Sequence, residues 1–329
     1  MARVLITGGC GFVGRRFVKY FLEKNYEVTV VDNIYPGTGA LEISKPWPNF
    51  DPRDFKKFQF FKQDCREWFK KNKHEKFDLI FHLAAIVGGR LVIENNPIAV
   101  AIDLAIDAAM WEWAKIARPK KVICFSSSAA YPINLQTKNS YKLLSEQMIN
   151  FKKDIGMPDM SYGWAKLTCE YLAKLAYEKE GIKSVCYRPF SGYGDDQDLN
   201  YPFPSILTRA LKHKNNSKKF HVWGSGKQMR DFIHIDDCVH GVIRTMNKVN
   251  NGDAINLSTG KLTSFIDFAK ITLNILGHNN ITVQGTSKKP EGVFARGGSI
   301  VKQKKMGFKY KVSFQKGIED SLILIDSRL

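Results

Sequence analysis

Apolar residues recur along the first half of the chain in two alternating rhythms. Short, nearly unbroken apolar runs occur at ARVLITG (2–8), YEVTVVDN (26–33), FQFFKQD (58–64), FDLIFHLAA (77–85), KKVICFSSS (120–128) and SVCYRPF (184–190). They read as six strands, most of them buried on both faces. Between them lie segments whose apolar residues fall at helical spacing: CGFVGRRFVKYFLEKN (10–25), AIDLAIDAAMWEWAKIA (101–117) and YGWAKLTCEYLAKLAYEKE (162–180). Strand–helix alternation of this kind predicts an α/β fold with a doubly wound parallel sheet of the Rossmann type. Beyond Phe190 the rhythm loosens. SGYGDDQDLNYPFP reads as a loop, RALKHKNN (209–216) as a short helix, 220–237 as short strands and FIDFAKITLNILG (265–277) as a helix. This part is expected to form a smaller α/β domain over the carboxyl ends of the sheet strands.

The first strand runs into TGGCGFVG, where Gly8, Gly11 and Gly14 are spaced GxxGxxG at the opening of a helix. Glycine permits the tight turn and lets backbone N–H groups approach a pyrophosphate at the helix N-terminus. Phe12 and Val13 lie inside this loop. Asp32 ends the second strand and is followed by Asn33 rather than an arginine. An acid there accepts from the ribose hydroxyls of a dinucleotide and repels a 2′-phosphate, which predicts NAD as cofactor rather than NADP.

Tyr162 and Lys166 stand one turn apart on one helix face, and the serines at 126–128 close the fifth strand, where a ligand crevice should open. Together Ser127, Tyr162 and Lys166 form a proton-transfer set. A free phenol titrates near pH ~10, and a lysine cation beside it, together with the positive nicotinamide ring of NAD⁺, favours phenolate and is expected to bring Tyr162 toward the working pH. The phenolate then takes the proton of a sugar hydroxyl as hydride leaves the same carbon.

With these residues in view, the chain resembles the extended short-chain dehydrogenase/reductases of the NAD-dependent nucleotide-sugar epimerase/dehydratase type. TGGCGFVG, VVDN, QDCRE, HLAA, SSS, YGWAK, RPFSGYG and NLSTG follow in the family's order over nearly the whole length. HLAAIVGG, VWGSGKQMRDFIHIDD and KPEGVFARG most resemble GDP-L-fucose synthase and GDP-mannose 3,5-epimerase. The resemblance implies that Asp64 and Cys65 meet the adenine and that Leu83, Ala84 and Ala85 line the cofactor. It implies substrate contacts at Val87, Gly88, Ser128, Ser191, Tyr201 and Trp223, with Arg230 and Arg296 on the diphosphate. The domain limits expected are 1–187 plus 231–260 for the cofactor and 188–230 plus 261–329 for the substrate.

Departures from the family pattern narrow the reaction. The 4,6-dehydratases carry Asp-Glu after the catalytic Ser or Thr, where this chain has Ser128 and Ala129. The 3,5-epimerising relatives carry a cysteine at the position of Ala129, and their partner acid falls loosely near Tyr201. The Asn that often follows RPF is Ser191 here. What remains is hydride removal and return, so the chain is expected to be a nucleotide-sugar epimerase acting at C4, on a GDP-sugar in preference to a UDP-sugar. The alternatives are a nucleotide-4-keto-sugar reductase and, further off, a 3,5-epimerase or 4,6-dehydratase. A non-enzymatic NAD- or RNA-binding protein is disfavoured by the intact Ser-Tyr-Lys set.

Composition changes this picture little. The formal net charge of +18 suits an anionic substrate, while no nucleic-acid-binding signature accompanies it. The six cysteines are scattered and read as reduced thiols of a cytoplasmic protein, and the histidines show no metal-ligand spacing. No apolar run is long enough for a bilayer, and no signal peptide is recognised. No membrane partner is therefore expected. The family resemblance implies a homodimer paired through the helix that carries Tyr162, which has apolar positions on more than one side (Leu167, Tyr171, Leu172, Leu175, Ala176).

Overall fold

The structure is a computed structural model, and it describes residues 2–48, 50–87, 90–213, 218–286 and 291–327. Its centre is a seven-stranded, wholly parallel sheet. In chain order the strands are β1 (Arg3–Thr7), β2 (Glu27–Asp32), β3 (Phe58–Lys62), β4 (Leu79–His82), β5 (Lys121–Phe125), β6 (Ser184–Pro189) and β7 (Asn251–Leu257). Their spatial order is β7-β6-β5-β4-β1-β2-β3. The order reverses between β1 and β4, and a crevice opens at the carboxyl ends there. Helices cover both faces: α1 (Phe12–Glu23), α2 (Cys65–Lys71), α3 (Asp103–Ala117), α4 (Met160–Glu180) and, later, α6 (Ile235–Thr245). One apolar cluster joins α1 and α6 to the sheet through Phe17, Phe21, Phe81 and Val242. The other joins α2, α3 and α4 to the opposite face through Trp68, Met110, Trp113 and Cys186.

All six expected strands form. The seventh, β7, was not expected as a strand, because NGDAINL is not a plain apolar run. Its Asn256 is fully buried, accepting from Tyr131 Oη at 2.8 Å and donating from its backbone to Glu146 Oε1 at 2.9 Å and from Nδ2 to the Leu144 carbonyl at 2.8 Å. A buried polar residue is tolerated in a strand when its partners are supplied, and here they come from a distant segment.

Beyond β6 a separate apolar cluster forms from Phe203, Leu207, Phe220, Phe268, Leu273, Ile318 and Leu322. It is carried by α5 (Pro202–Leu211), α7 (Phe265–Ile275), α8 (Phe314–Asp326) and the parallel strand pair Lys219–Trp223 with Thr282–Thr286. The helix expected at 209–216 lies earlier, at α5, with Pro202 in its first turn, where a missing N–H costs nothing. The stretch 220–237, expected to hold only strands, turns helical after Phe232–His234. The His234 ring Nδ1 accepts the Asp236 N–H at 3.3 Å and caps α6. α8 was also not expected, and its Ser313 cap accepts the Lys316 N–H at 3.2 Å.

Candidate active site

The N-terminus of α1 faces the crevice. Its capping position is Gly11, with no side-chain cap and no acidic residue in the first turn. The turn is shaped by Gly8, whose φ is +72°, and by Gly14, where a Cβ would lie 2.3 Å from the Gly8 carbonyl. Open N–H groups, a favourable dipole and close backbone approach together fit a pyrophosphate. At the end of β2 the buried Asp32 carboxylate accepts the Cys10 N–H at 2.9 Å and the Ile34 N–H at 2.8 Å. Burial pushes its carboxyl above the ordinary value, and the N–H groups of Ile34 and Cys10, with Arg15, oppose that. Arg15 itself is engaged by Asp196 at 2.8 Å and by the Cys10 and Gly39 carbonyls.

These residues line one cleft of about 370 Å³. The cleft brings together Gly8, Gly11, Phe12, Val13, Gly14, Asp32, Asn33, Asp64, Cys65, Leu83, Ala84, Ala85, Val87, Tyr162, Lys166 and Tyr201. Asp64 has two tasks, because it also caps α2 through the Arg66 N–H at 2.8 Å and pairs with the Arg66 guanidinium at 2.6 Å. Among the wall residues that sequence reasoning missed are Tyr35 and Thr38 to Ala40, Pro189, Phe190 and Gly192, and Gln197 with Asp198. The last of these is held by α1, whose Arg15 and Arg16 pair with Asp196 and Asp195 in the loop. The signal was available as Arg-Arg near the chain start and Asp-Asp in GYGDDQD, but only folding shows that they meet.

Of the expected substrate set, Val87 and Tyr201 line this cleft, whereas Ser128, Ser191, Trp223, Arg230 and Arg296 lie apart from it. Ser128 is buried in the turn after β5. Ser191 opens a short strand, its N–H donating to the Asp231 carbonyl at 2.9 Å. Trp223 is 46 % exposed, which excludes a core role. Arg230 and Arg296 sit side by side in register on neighbouring strands. Arg230 donates to the carbonyls of Met229, Val293 and Glu291, and Arg296 donates to Gln136 Oε1 and Asp159 Oδ2, both at 2.7 Å. Gly88 lies outside the described residues.

The proton-transfer set does converge. The Asp159 N–H donates to the Ala129 carbonyl at 2.9 Å, fastening the start of α4 to the turn that holds Ser127. Ser127 faces the Tyr162 phenol and favours its ionised form, and Lys166 Nζ lies 5.6 Å from the Tyr162 ring centroid. Burial pushes the Tyr162 phenol above its ordinary value, and Lys166, Ser127 and Arg296 oppose that without reversing it. Desolvation of a phenolate outweighs a single cation that already has a partner. That partner is Asp103 on α3, whose Oδ2 is 3.8 Å from Lys166 Nζ. Sequence reasoning missed Asp103 as well. Asp103 and Asp107 are acids one turn apart in the otherwise apolar first half of α3, a pattern that signals buried carboxylates with partners.

The dinucleotide cleft, with a tyrosine and lysine at its wall, leads to a family. The model of the NAD dependent epimerase/dehydratase family matches residues 4–258. The chain belongs to that family. It is an NAD-dependent enzyme of the extended short-chain dehydrogenase/reductase type. The chain is 25 % identical to UDP-N-acetyl-alpha-D-glucosaminuronate decarboxylase of Bacillus cytotoxicus, with 97 % of this chain and 96 % of that protein covered. It is 24 % identical to GDP-L-colitose synthase of Yersinia pseudotuberculosis, covering 96 % and 95 %. The fold matches that of UDP-glucose 4-epimerase from Thermotoga maritima, with a TM-score of 0.82, 23 % identity and 99 % of both chains covered.

The NAD-type reading of Asp32 has a direct test. Asp32→Ala is expected to weaken NAD binding by roughly 10–100-fold, the worth of charge-assisted hydrogen bonds, and to relax discrimination against NADP. Titration calorimetry with both dinucleotides measures this. Unchanged NAD affinity means that the ribose lies elsewhere.

Proposed function

We propose that the protein is a nucleotide-sugar epimerase that inverts C4 of a nucleoside-diphosphate sugar through transient oxidation. The observation that carries this reading is the Ser127–Tyr162–Lys166 set beside the dinucleotide cleft, with Ser128 and Ala129 where an acid and a base for dehydration would stand. NAD, when bound, supplies the hydride acceptor and, on the way back, the donor. Tyr162 takes the proton of the C4 hydroxyl as the C4–H bond breaks, and returns it when hydride comes back to the other face. Ser127 holds the same oxygen. Lys166 keeps the phenol oriented and carries positive charge beneath it. No second substrate is consumed, because the hydride and the proton both return.

Arg230 and Arg296, neighbours in register, are proposed to bind the diphosphate, with Ser128, Ser191, Tyr201 and Trp223 around the sugar and base. Residues 1–187 plus 231–260 would hold the cofactor, and 188–230 plus 261–329 the sugar nucleotide. The motifs around Arg230 and Arg296 favour a GDP-linked substrate, and the relative named GDP-L-colitose synthase agrees with that. Relatives named for UDP-sugars make the UDP-linked form the comparison to include. A homodimer would cover the exposed Trp164, Tyr171 and Tyr177 of α4 and Leu104 of α3. A cytoplasmic setting suits six cysteines that are all free and buried. Among the described residues no helix is long and apolar enough to cross a membrane.

The test is to denature the purified protein, identify the released nucleotide by mass spectrometry, and then screen GDP- and UDP-sugars by NMR for an inverted centre. Near-stoichiometric NAD and one inverted C4 are expected. Release of NADP, or net consumption of reduced cofactor, would instead make the protein a keto-sugar reductase.

A further inference from the structure

We propose that Asp103 is a positioning residue that neutralises Lys166 and so weakens the hold of the ammonium charge on the Tyr162 phenol. The geometry is compact. Asp103 and Lys166 are both buried, with Asp103 Oδ2 3.8 Å from Lys166 Nζ. Asp103 Oδ1 accepts the Ile86 N–H at 2.7 Å, which fixes the carboxylate to the loop after β4 that lines the cleft. Oδ2 accepts no hydrogen bond among the described residues. It is therefore aimed at the ammonium as a charge rather than satisfied by a dipole.

Every charged or titratable group around the phenol bears on this balance. Tyr162 is faced by Lys166 on α4, Asp103 on α3, Ser127 after β5, Arg296 on its short strand and Tyr201 at the start of α5. Asp103 is faced by Lys166, by Asp107 one turn along α3 and by His82 at the end of β4. His82 is anchored in turn, with Nε2 3.1 Å from Asp107 Oδ1 and Nδ1 2.8 Å from Thr7 Oγ1. Lys166 is also faced by Asp107 and Cys169. Burial pushes Asp103 up to about 6, against the pull of Lys166 and the Ile86 N–H, so it is ionised at pH 7. Burial alone would lower Lys166, but Asp103, Tyr162 and Asp107 outweigh it and hold the ammonium protonated. The pair thus enters the site close to neutral, and Lys166 acidifies Tyr162 less than an unpaired lysine would.

This inference rests on Tyr162 as the proton carrier, but its test needs no sugar. Protein labelled at tyrosine Cζ with ¹³C is titrated by NMR under saturating NAD⁺, and the resonance missing from Tyr162→Phe assigns Tyr162. Asp103→Asn, which keeps an acceptor for Ile86, is expected to move the Tyr162 midpoint down by about one pH unit or more. The double variant Asp103→Asn/Lys166→Gln replaces a neutral pair by a neutral pair and carries the test if the single variant does not fold. Its midpoint is expected within about half a unit of the wild type. A single variant with an unchanged or raised midpoint overturns the proposal, as does a double variant raised by about one unit or more, because Lys166 would then act uncompensated. A wild type that titrates as expected yet inverts no sugar would sink the epimerase reading and leave this one standing.

Discussion

Tyr162→Phe is expected to lower turnover by about 10²–10⁴-fold while leaving NAD in place, the range lost when a positioned acid–base group is removed. The ring stays, so its packing at the cleft wall and over Lys166 is kept, and only the oxygen that carries the proton goes. Two measurements separate the effects: the rate of sugar inversion, and the NAD released from each variant on denaturation. Loss of both would point to a damaged fold. Undiminished inversion would falsify the mechanism, because a group other than Tyr162 would then carry the C4 hydroxyl proton. Wild-type activity is also expected to rise with pH across the acid limb, since phenolate is the competent form and burial holds the phenol up.

Arg188→Met should destabilise the protein by about 3–5 kcal/mol, the cost of stranding one charge of a buried ion pair. Arg188 and Glu170 are both 2 % exposed and meet through two contacts, Nε to Oε1 at 2.8 Å and Nη2 to Oε2 at 2.5 Å. The same Glu170 accepts from Ser126 Oγ at 2.5 Å, and Arg188 donates to Tyr131 Oη at 2.9 Å. The pair therefore joins β6 and α4 to both ends of the segment that contains Ser127. Urea unfolding of Arg188→Met and of Arg188→Met/Glu170→Met measures the effect. The double variant should recover a good part of the loss, because it leaves no charge buried alone. If the single variant is as stable as the wild type, the pair is not what registers α4 against the Ser127 turn.

The site and the fold were legible in the chain to different depths. Apolar runs of strand length and helices of 3.6 periodicity are local properties, so the alternation, the first six strands and the parallel sheet could be read directly, while their order in the sheet could not. The glycine loop, Asp32, Tyr162 and Lys166 were equally legible, since each depends on a turn, a strand end or one helical repeat. β7 was hidden because its burial depends on partners for Asn256 that come from residues 144–146 and Tyr131. α6 was legible and was missed: Ile235, Cys238, Val239, Val242 and Ile243 fall at helical spacing, and only its histidine cap needed the tertiary structure.

Electrostatics was decided by the tertiary structure alone. The sequence placed Lys166 one turn from Tyr162, which predicts a more acidic phenol. Folding then brought Asp103, 63 positions away in the chain by its numbering, against the ammonium, and burial opposes the pull of Lys166 on the phenol. Likewise nothing local marks Arg15, yet it is buried against Asp196 and donates to the carbonyl of Gly39, which lines the cleft. Local pattern determines which elements form and which chemical groups they carry. The effective charge of those groups depends on which distant partners share their low-dielectric surroundings, and only the assembled fold sets that distance.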